Sequence, residues 1–205
     1  MFLQIWNASD RGMEDCTRYL AASGPAEGAG WVAPYGDSPF DDENVAEMVY
    51  MDILNRARKY VHIMTPYLII DHEMVTALLF AAKRGVDVKI VTPGWPDKKT
   101  VFALTRSYYK ELIEGGVQIY EYSPGFIHAK SFVSDGTTAV TGSINLDYRS
   151  LYLHFECAAL MYRTPAVEDI EADFQATLAK CRQITREDCL KDKLTRRVTG
   201  WLLRP

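Results

Sequence analysis

Between Phe126 and Asp147 the sequence reads FIHAKSFVSDGTTAVTGSINLD, with His128, Lys130 and Asp135 falling within eight positions of an otherwise apolar, strand-like run. Residues two apart in a strand share a face, so His128 and Lys130 are expected to project together. Ser143 and Asn145 share a face in the same way where the chain returns. If the two strands pair, an imidazole, an ammonium, a hydroxyl and an amide converge. That set suits a phosphate group: Lys130 supplies positive charge, Ser143 and Asn145 supply neutral donors, and His128 can attack phosphorus or move protons near neutral pH. A lone histidine on an apolar strand is ordinary core, and a lone lysine can snorkel out. Burying the two together without an anionic partner is expensive, which favours the ligand-binding reading. Metal catalysis is disfavoured, since a lysine on the same face repels a divalent ion and no second His or Cys stands at ligand spacing.

The whole chain bounds what such a site can belong to. At 205 residues, 48% hydrophobic and 24% charged, it can bury one sizeable core. A net charge of −4 argues against a broad grip on nucleic acid, though a local anion pocket is compatible with it. Cys16, Cys157, Cys181 and Cys189 show no CxxC spacing and are read as reduced thiols. No run approaches the roughly 20 apolar residues of a membrane span.

The positioning elements follow from periodicity. Residues 1–40, rich in Gly, Pro, Ala and acid, are expected to be a connector, mostly loop, with one short helix near Gly12–Ala22. Residues 41–205 are expected to form one catalytic half-domain ending in helices. Asp41 or Asp42 is placed as the cap of a helix running to about Arg58. YVHIMTP and VDVKIVTP read as buried strands, with a helix between them capped by Asp71 and stopped by Gly85. A helix near Asp97–Glu114, a strand VQIYEY and a hairpin turning at Asp135-Gly136 come next, and then a strand FECAALMY. Thr164–Gln183 and Arg186–Gly200 read as helices. Alternation of strand and helix implies an α/β fold with a mixed, largely parallel central sheet flanked by helices. His62 is expected in the core and His72 in solvent.

His128, Lys130, Asp135, Gly142, Ser143 and Asn145 together fit His-x-Lys-x4-Asp-x6-Gly-Ser-x-Asn, and on this motif the chain is identified as a member of the phospholipase D superfamily. The stretches TPYLIIDHEM, AAKRGVDVKIVTPG and GSINLDYRSLYLHFE, with VAPYGDSPFD upstream and WLLRP at the close, resemble the C-terminal half of bacterial cardiolipin synthases. His154 departs from that resemblance, as many members carry Asn there.

The resemblance implies a phosphatidyltransferase that condenses two phosphatidylglycerols to cardiolipin and glycerol through a phosphohistidine, without metal or organic cofactor. Lys130, Asn145 and Ser143 would hold phosphoryl oxygens, and Glu156 would orient the motif histidine. Asp135 belongs to the motif, but its turn position gives it the structural chemistry of an Asx turn. Arg149 is a candidate for a second phosphate of the substrate, and Tyr67, at the end of a parallel strand, a candidate for the pocket wall. Tyr108, Tyr109 and Tyr152 occupy ordinary core or interface positions. Such a site needs two motif histidines, and the chain carries one motif. The partner is therefore expected to be an N-terminal half in cis or a second copy as a homodimer, with the membrane surface as the place of action and no nucleic acid. In the full-length protein that place is the cytoplasmic face of the bacterial membrane, and the fragment itself reads as soluble. Alternatives are a phospholipase D-type hydrolase, a homodimeric nuclease, and a structural module that is inert in isolation.

Overall fold

The computed structural model describes residues 5–7, 15, 17–19, 28–40 and 42–191. The regular elements begin with β1 (Trp31–Asp37), α1 (Val45–Arg56), β2 (Tyr60–Met64), β3 (Leu68–Ile69), α2 (His72–Lys83), β4 (Asp87–Pro93) and α3 (Lys99–Glu114). They continue with β5 (Gln118–Tyr122), β6 (Ser131–Ser134), β7 (Thr138–Gly142), β8 (Leu146–Asp147), α4 (Tyr148–Tyr152), β9 (Glu156–Tyr162), α5 (Pro165–Leu178), β10 (Cys181–Ile184) and α6 (Arg186–Lys191).

Eight strands form one sheet in the order β1-β9-β7-β6-β2-β4-β5-β10, and β3 pairs with β8 in a small second ladder. The sheet is mixed, as the alternation implied. Its parallel part is confined to the central β2, β4 and β5. The flanking pairings are antiparallel, a larger share than the periodicity suggested. The period-2 alternation of β2 divides the core. Val61 and Ile63 pack with Tyr50, Leu54, Leu78 and Leu112 from α1, α2 and α3. Met64 and His62 face the other layer, where Phe174 of α5 is fully buried. His62 is accordingly core: its ring stacks between Tyr60 and Phe174 at 4.4 and 4.5 Å, and its Nδ1 lies 2.9 Å from a Glu171 carboxylate oxygen. His72, at the start of α2, is exposed as expected.

Several local expectations are corrected. Residues 31–37, expected as loop, are an edge strand: β1 pairs along its whole length with β9, which the irregular Gly/Pro composition concealed. Arg182 and Gln183, assigned to a helix, lie in β10, because α5 ends at Leu178 and the chain turns to cover the open edge of β5. The cap position of α1 is Asn44, not Asp42, and Asp41 lies outside the described residues. Asp37, at the end of β1, accepts the Ala46 N–H at 2.9 Å and satisfies that helix start across the fold. Asp71 does cap α2, accepting the Met74 N–H at 2.8 Å, and Gly85 stops that helix at φ 89°. Of the expected helix near Gly12–Ala22 the described residues include a single 3₁₀ turn, Thr17–Tyr19, and residues 192–200 of the last expected helix lie outside them. Cys157 and Cys181 are free thiols. Among the described residues no helix is long and apolar enough to cross a membrane.

The β6–β7 hairpin turns through Asp135 and Gly136, both at positive φ (54° and 66°), the type I′ geometry that matches strand twist. The Asp135 carboxylate accepts the N–H groups of Arg58, Lys59 and Tyr60 at 2.8, 2.9 and 2.9 Å. It thereby clamps the start of β2 to the turn. Partial burial pushes this carboxyl up, but the amides of Tyr60, Arg58 and Lys59 together outweigh it and hold the pKa below the usual carboxylate value. A depressed folded pKa contributes stability above the unfolded value of about 4, and that stability is lost as pH falls through the folded value. Asp135→Ala should therefore lower stability by about 2–4 kcal/mol at neutral pH, measured by urea denaturation, with the deficit shrinking below about pH 4. A deficit independent of pH would show that the charge is not what holds the clamp.

Candidate active site

The site lies at the edge of the sheet where the parallel strands end. β2 stops pairing at Met64, opposite Ser131, the first residue of β6. β7 ends at Gly142 opposite Ala158, two residues into β9, so β9 begins with Glu156 at this same edge. His128 and Lys130 are not on a strand, contrary to the expectation. They occupy an irregular run from Ser123 to Lys130 that leads into β6. The reason is the loss of a partner: beyond Met64 the neighbouring chain reaches Pro66, which has no N–H to continue the ladder.

Freed from the ladder, the two residues still stay together. Lys130 Nζ donates to the His128 carbonyl at 2.7 Å, and the His128 ring is exposed beside Phe126, 5.9 Å between centroids. Lys130 is half-buried and feels the charges of two carboxylates, Glu156 and Asp147, that are themselves 7% and 6% exposed. Burial pushes the Lys130 ammonium below the ordinary lysine pKa, and the Glu156 and Asp147 charges oppose that shift.

Ser143 is pinned by β9. Its N–H donates to the Cys157 carbonyl at 2.8 Å, its Oγ accepts the Cys157 N–H at 3.0 Å, and its hydroxyl donates to Glu156 Oε2. This requires β7 and β9 to approach closely, and Gly142 permits it: a Cβ there would sit 2.6 Å from Ala158 Cα and closer still to the Cys157 carbonyl oxygen. The loop that follows is held from below. Tyr50, fully buried in α1 and stacked on Phe132 at 4.0 Å, donates to the Ile144 carbonyl at 3.1 Å. Asn145 is turned to α4, its Nδ2 donating to Ser150 Oγ at 3.0 Å, while its Oδ1 is buried without a partner. Asp147 caps α4 by accepting the Ser150 N–H at 2.9 Å, and this Asp-x-x-Ser spacing was readable as a helix start.

Of the candidate residues, then, Lys130, Ser143 and Glu156 form one cluster with His128 at its rim. Asp135 stands at the opposite end of β6, where it builds the hairpin clamp. Glu156 bonds Ser143 and also faces His154, with Oε1 3.8 Å from His154 Nδ1. Arg149 donates from Nε to His154 Nε2 at 2.6 Å. Tyr67 is half-buried, its hydroxyl donates to Asp97 at 2.5 Å, and burial together with that carboxylate pushes its pKa up to about 12. Tyr108 and Tyr109 are core. The parts that sequence reasoning missed are the support of Tyr50 and the bridging place of His154. The first rests on contacts across nearly a hundred residues of chain, and the second was visible only as a departure from the family pattern.

A family model described as cardiolipin synthase, PLD-like domain, matches residues 50–178. The chain belongs to that family. Among curated relatives of this PLD-like chain, an uncharacterized protein of Streptococcus mutans is 52% identical over 204 residues, covering 100% of the chain and 44% of the relative. A cardiolipin synthase of a Geobacillus strain is 39% identical over 172 residues (84% of the chain, 34% of the relative). Cardiolipin synthase 2 of Bacillus cereus is 36% identical over 200 residues (97% and 39%). The chain thus spans less than half the length of these relatives. The fold matches Nuc, a phospholipase D family member from Salmonella typhimurium, at TM-score 0.64 and 22% identity, covering 76% of this chain and 99% of that one. It also matches phosphatidylserine synthase of Haemophilus influenzae at TM-score 0.65 and 17% identity, covering 84% and 44%.

Two measurements probe this PLD-like site directly. Gly142→Ala should cost about 1–3 kcal/mol in thermal or urea unfolding by forcing β7 off β9. An unchanged stability would mean that the strands tolerate separation. Lys130 should lose its proton at lower pH than free lysine, and Glu156→Gln, which removes one opposing carboxylate, should lower that pKa further. Titration of the lysine 13Cε resonance checks both, and an upward shift in Glu156→Gln would contradict the geometry.

Proposed function

We propose that the chain is one half of a phosphatidyltransferase that joins two phosphatidylglycerols into cardiolipin, releasing glycerol. The observation that carries this reading is an exposed imidazole, His128, whose backbone carbonyl accepts from the Lys130 ammonium, itself under the charges of the buried Glu156 and Asp147, in a family whose named relatives above are cardiolipin synthases. A nitrogen of His128 attacks the phosphodiester phosphorus. The P–N bond forms as the P–O bond to the headgroup glycerol breaks, and glycerol leaves with a proton given by a second histidine. The hydroxyl of a second phosphatidylglycerol then gives its proton to that histidine and displaces His128 from phosphorus.

Lys130 neutralises charge growing on the phosphoryl oxygens, worth most where water is excluded. The Ser143–Glu156 pair fixes the floor of the site. Asn145 spends one amide N–H on Ser150 and keeps the second as a donor for the phosphoryl group. The second histidine comes from another phospholipase D-like half, and the assembled enzyme works at the cytoplasmic face of the bacterial membrane.

The test is to co-express the chain with the part of its S. mutans relative that it does not match, and to assay phosphatidylglycerol vesicles and single-stranded DNA. Cardiolipin formed only by the pair supports the proposal. DNA cleavage by the chain alone, or release of phosphatidic acid in place of cardiolipin, overturns it. His128→Ala should lower turnover by about ten-thousand-fold or more and abolish trapping of a phosphorylated protein. A variant that keeps both removes His128 as nucleophile.

A further inference from the structure

Beside the Lys130–Ser143–Glu156 cluster runs an open groove of about 520 Å³, lined by Ile69, Asp147, Tyr148, Arg149, Leu153 and His154. It joins the cluster through His154, whose Nδ1 faces Glu156, and through Asp147, whose charge acts on Lys130. Two features of the groove are unlike an ordinary helix surface. First, the Arg149 guanidinium is anchored by an imidazole: Nε donates to His154 Nε2 at 2.6 Å, and among the described residues no carboxylate pairs with it. An imidazole acceptor fixes the orientation of the guanidinium without neutralising it, and leaves its terminal N–H groups for an anion. Asp147, the carboxylate in the groove wall, is nearly buried and already accepts the Ser150 N–H. Second, the rest of the wall is apolar and open, with Leu153 58% and Tyr148 40% exposed and Tyr148 braced against Tyr152 at 4.5 Å.

We propose that this groove is a second glycerophospholipid site, in which Arg149, held by His154, takes the phosphodiester and Ile69, Tyr148 and Leu153 take the glycerol–acyl part. The charge and the apolar wall together fit a lipid better than a free anion, which would leave the wall unused. The assignment rests on the phosphatidyl-transfer reading, because transfer between two lipids needs a second lipid beside the reacting phosphorus. His154 is a positioning residue: it sets the guanidinium and needs no contact with the lipid.

The experiment uses the 205-residue chain labelled with 15N, titrated with monomeric dihexanoyl phosphatidylglycerol and separately with inorganic phosphate. The side-chain Nε–H of Arg149 and the ring nitrogens of His154 are observed alongside Lys130 and His128. In the free protein Nε2 of His154 should report an acceptor, and Arg149→Ala should shift that nitrogen. The lipid should move the Arg149 and His154 signals saturably and more tightly than phosphate does. Arg149→Ala should weaken lipid binding by about tenfold or more, and His154→Asn, which keeps an acceptor, should retain most of it. Leu153→Asp should weaken the lipid and leave phosphate unchanged. Equal affinity for phosphate and lipid, or indifference to Leu153→Asp, overturns the lipid assignment in favour of an anion site alone. Shifts confined to His128 and Lys130 overturn the groove and leave the transfer reading standing. Shifts at Arg149 and His154 with none at His128 and Lys130 support the groove and count against that reading.

Discussion

Two nearly buried carboxylates, Glu156 and Asp147, act through their charge on one half-buried ammonium, Lys130, and the arrangement of the whole sheet edge follows from keeping these charges satisfied. An isolated buried carboxylate is worth several kcal/mol of penalty, so each must be held where compensation reaches it. Glu156 receives the Ser143 hydroxyl and Asp147 the Ser150 amide, while Lys130 serves both through space and donates a hydrogen bond to the His128 carbonyl. None of this tolerates drift. The contact of β7 with β9 at Gly142 and the bond from Tyr50 to Ile144 remove the slack from the loop between them. His128, by contrast, is left outside the ladder and in solvent, which suits a group that must meet another molecule.

Much of the frame was legible because it is local. The apolar run YVHIMTP, the cap at Asp71 and the stop at Gly85 are decided within a turn or two of chain, and the structure follows them. What was not legible is decided at a distance. α1 takes its cap from Asp37 on β1, and Trp31–Asp37 is a strand only because β9 lies beside it. Cys181–Ile184 becomes a strand because β5 has an open edge to cover. A tertiary partner overrode the local pattern in each case.

The site shows the same division. The motif spacing and the family resemblance named the candidates, and of these Lys130, Ser143 and Glu156 do gather. The spacing did not say that His128 and Lys130 precede the strand. That depended on Pro66, in a neighbouring segment. Nor could it orient Asn145 or reveal that His154 bridges Arg149 to Glu156, since side-chain direction depends on what packs above and below.

The β6–β7 hairpin, clamped at Asp135 on one end and opening into the Lys130 cluster at the other, works as a ruler. Four residues of β6, Ser131 to Ser134, separate the two ends, about 13 Å at the usual rise of a strand. The intervals in the motif therefore encode a length and a parity more than a set of contacts. Adding one residue to β6 would reverse the face on which the strand hands over to the irregular run that carries His128 and Lys130. Adding two would keep the face and carry the charges beyond the reach of Glu156.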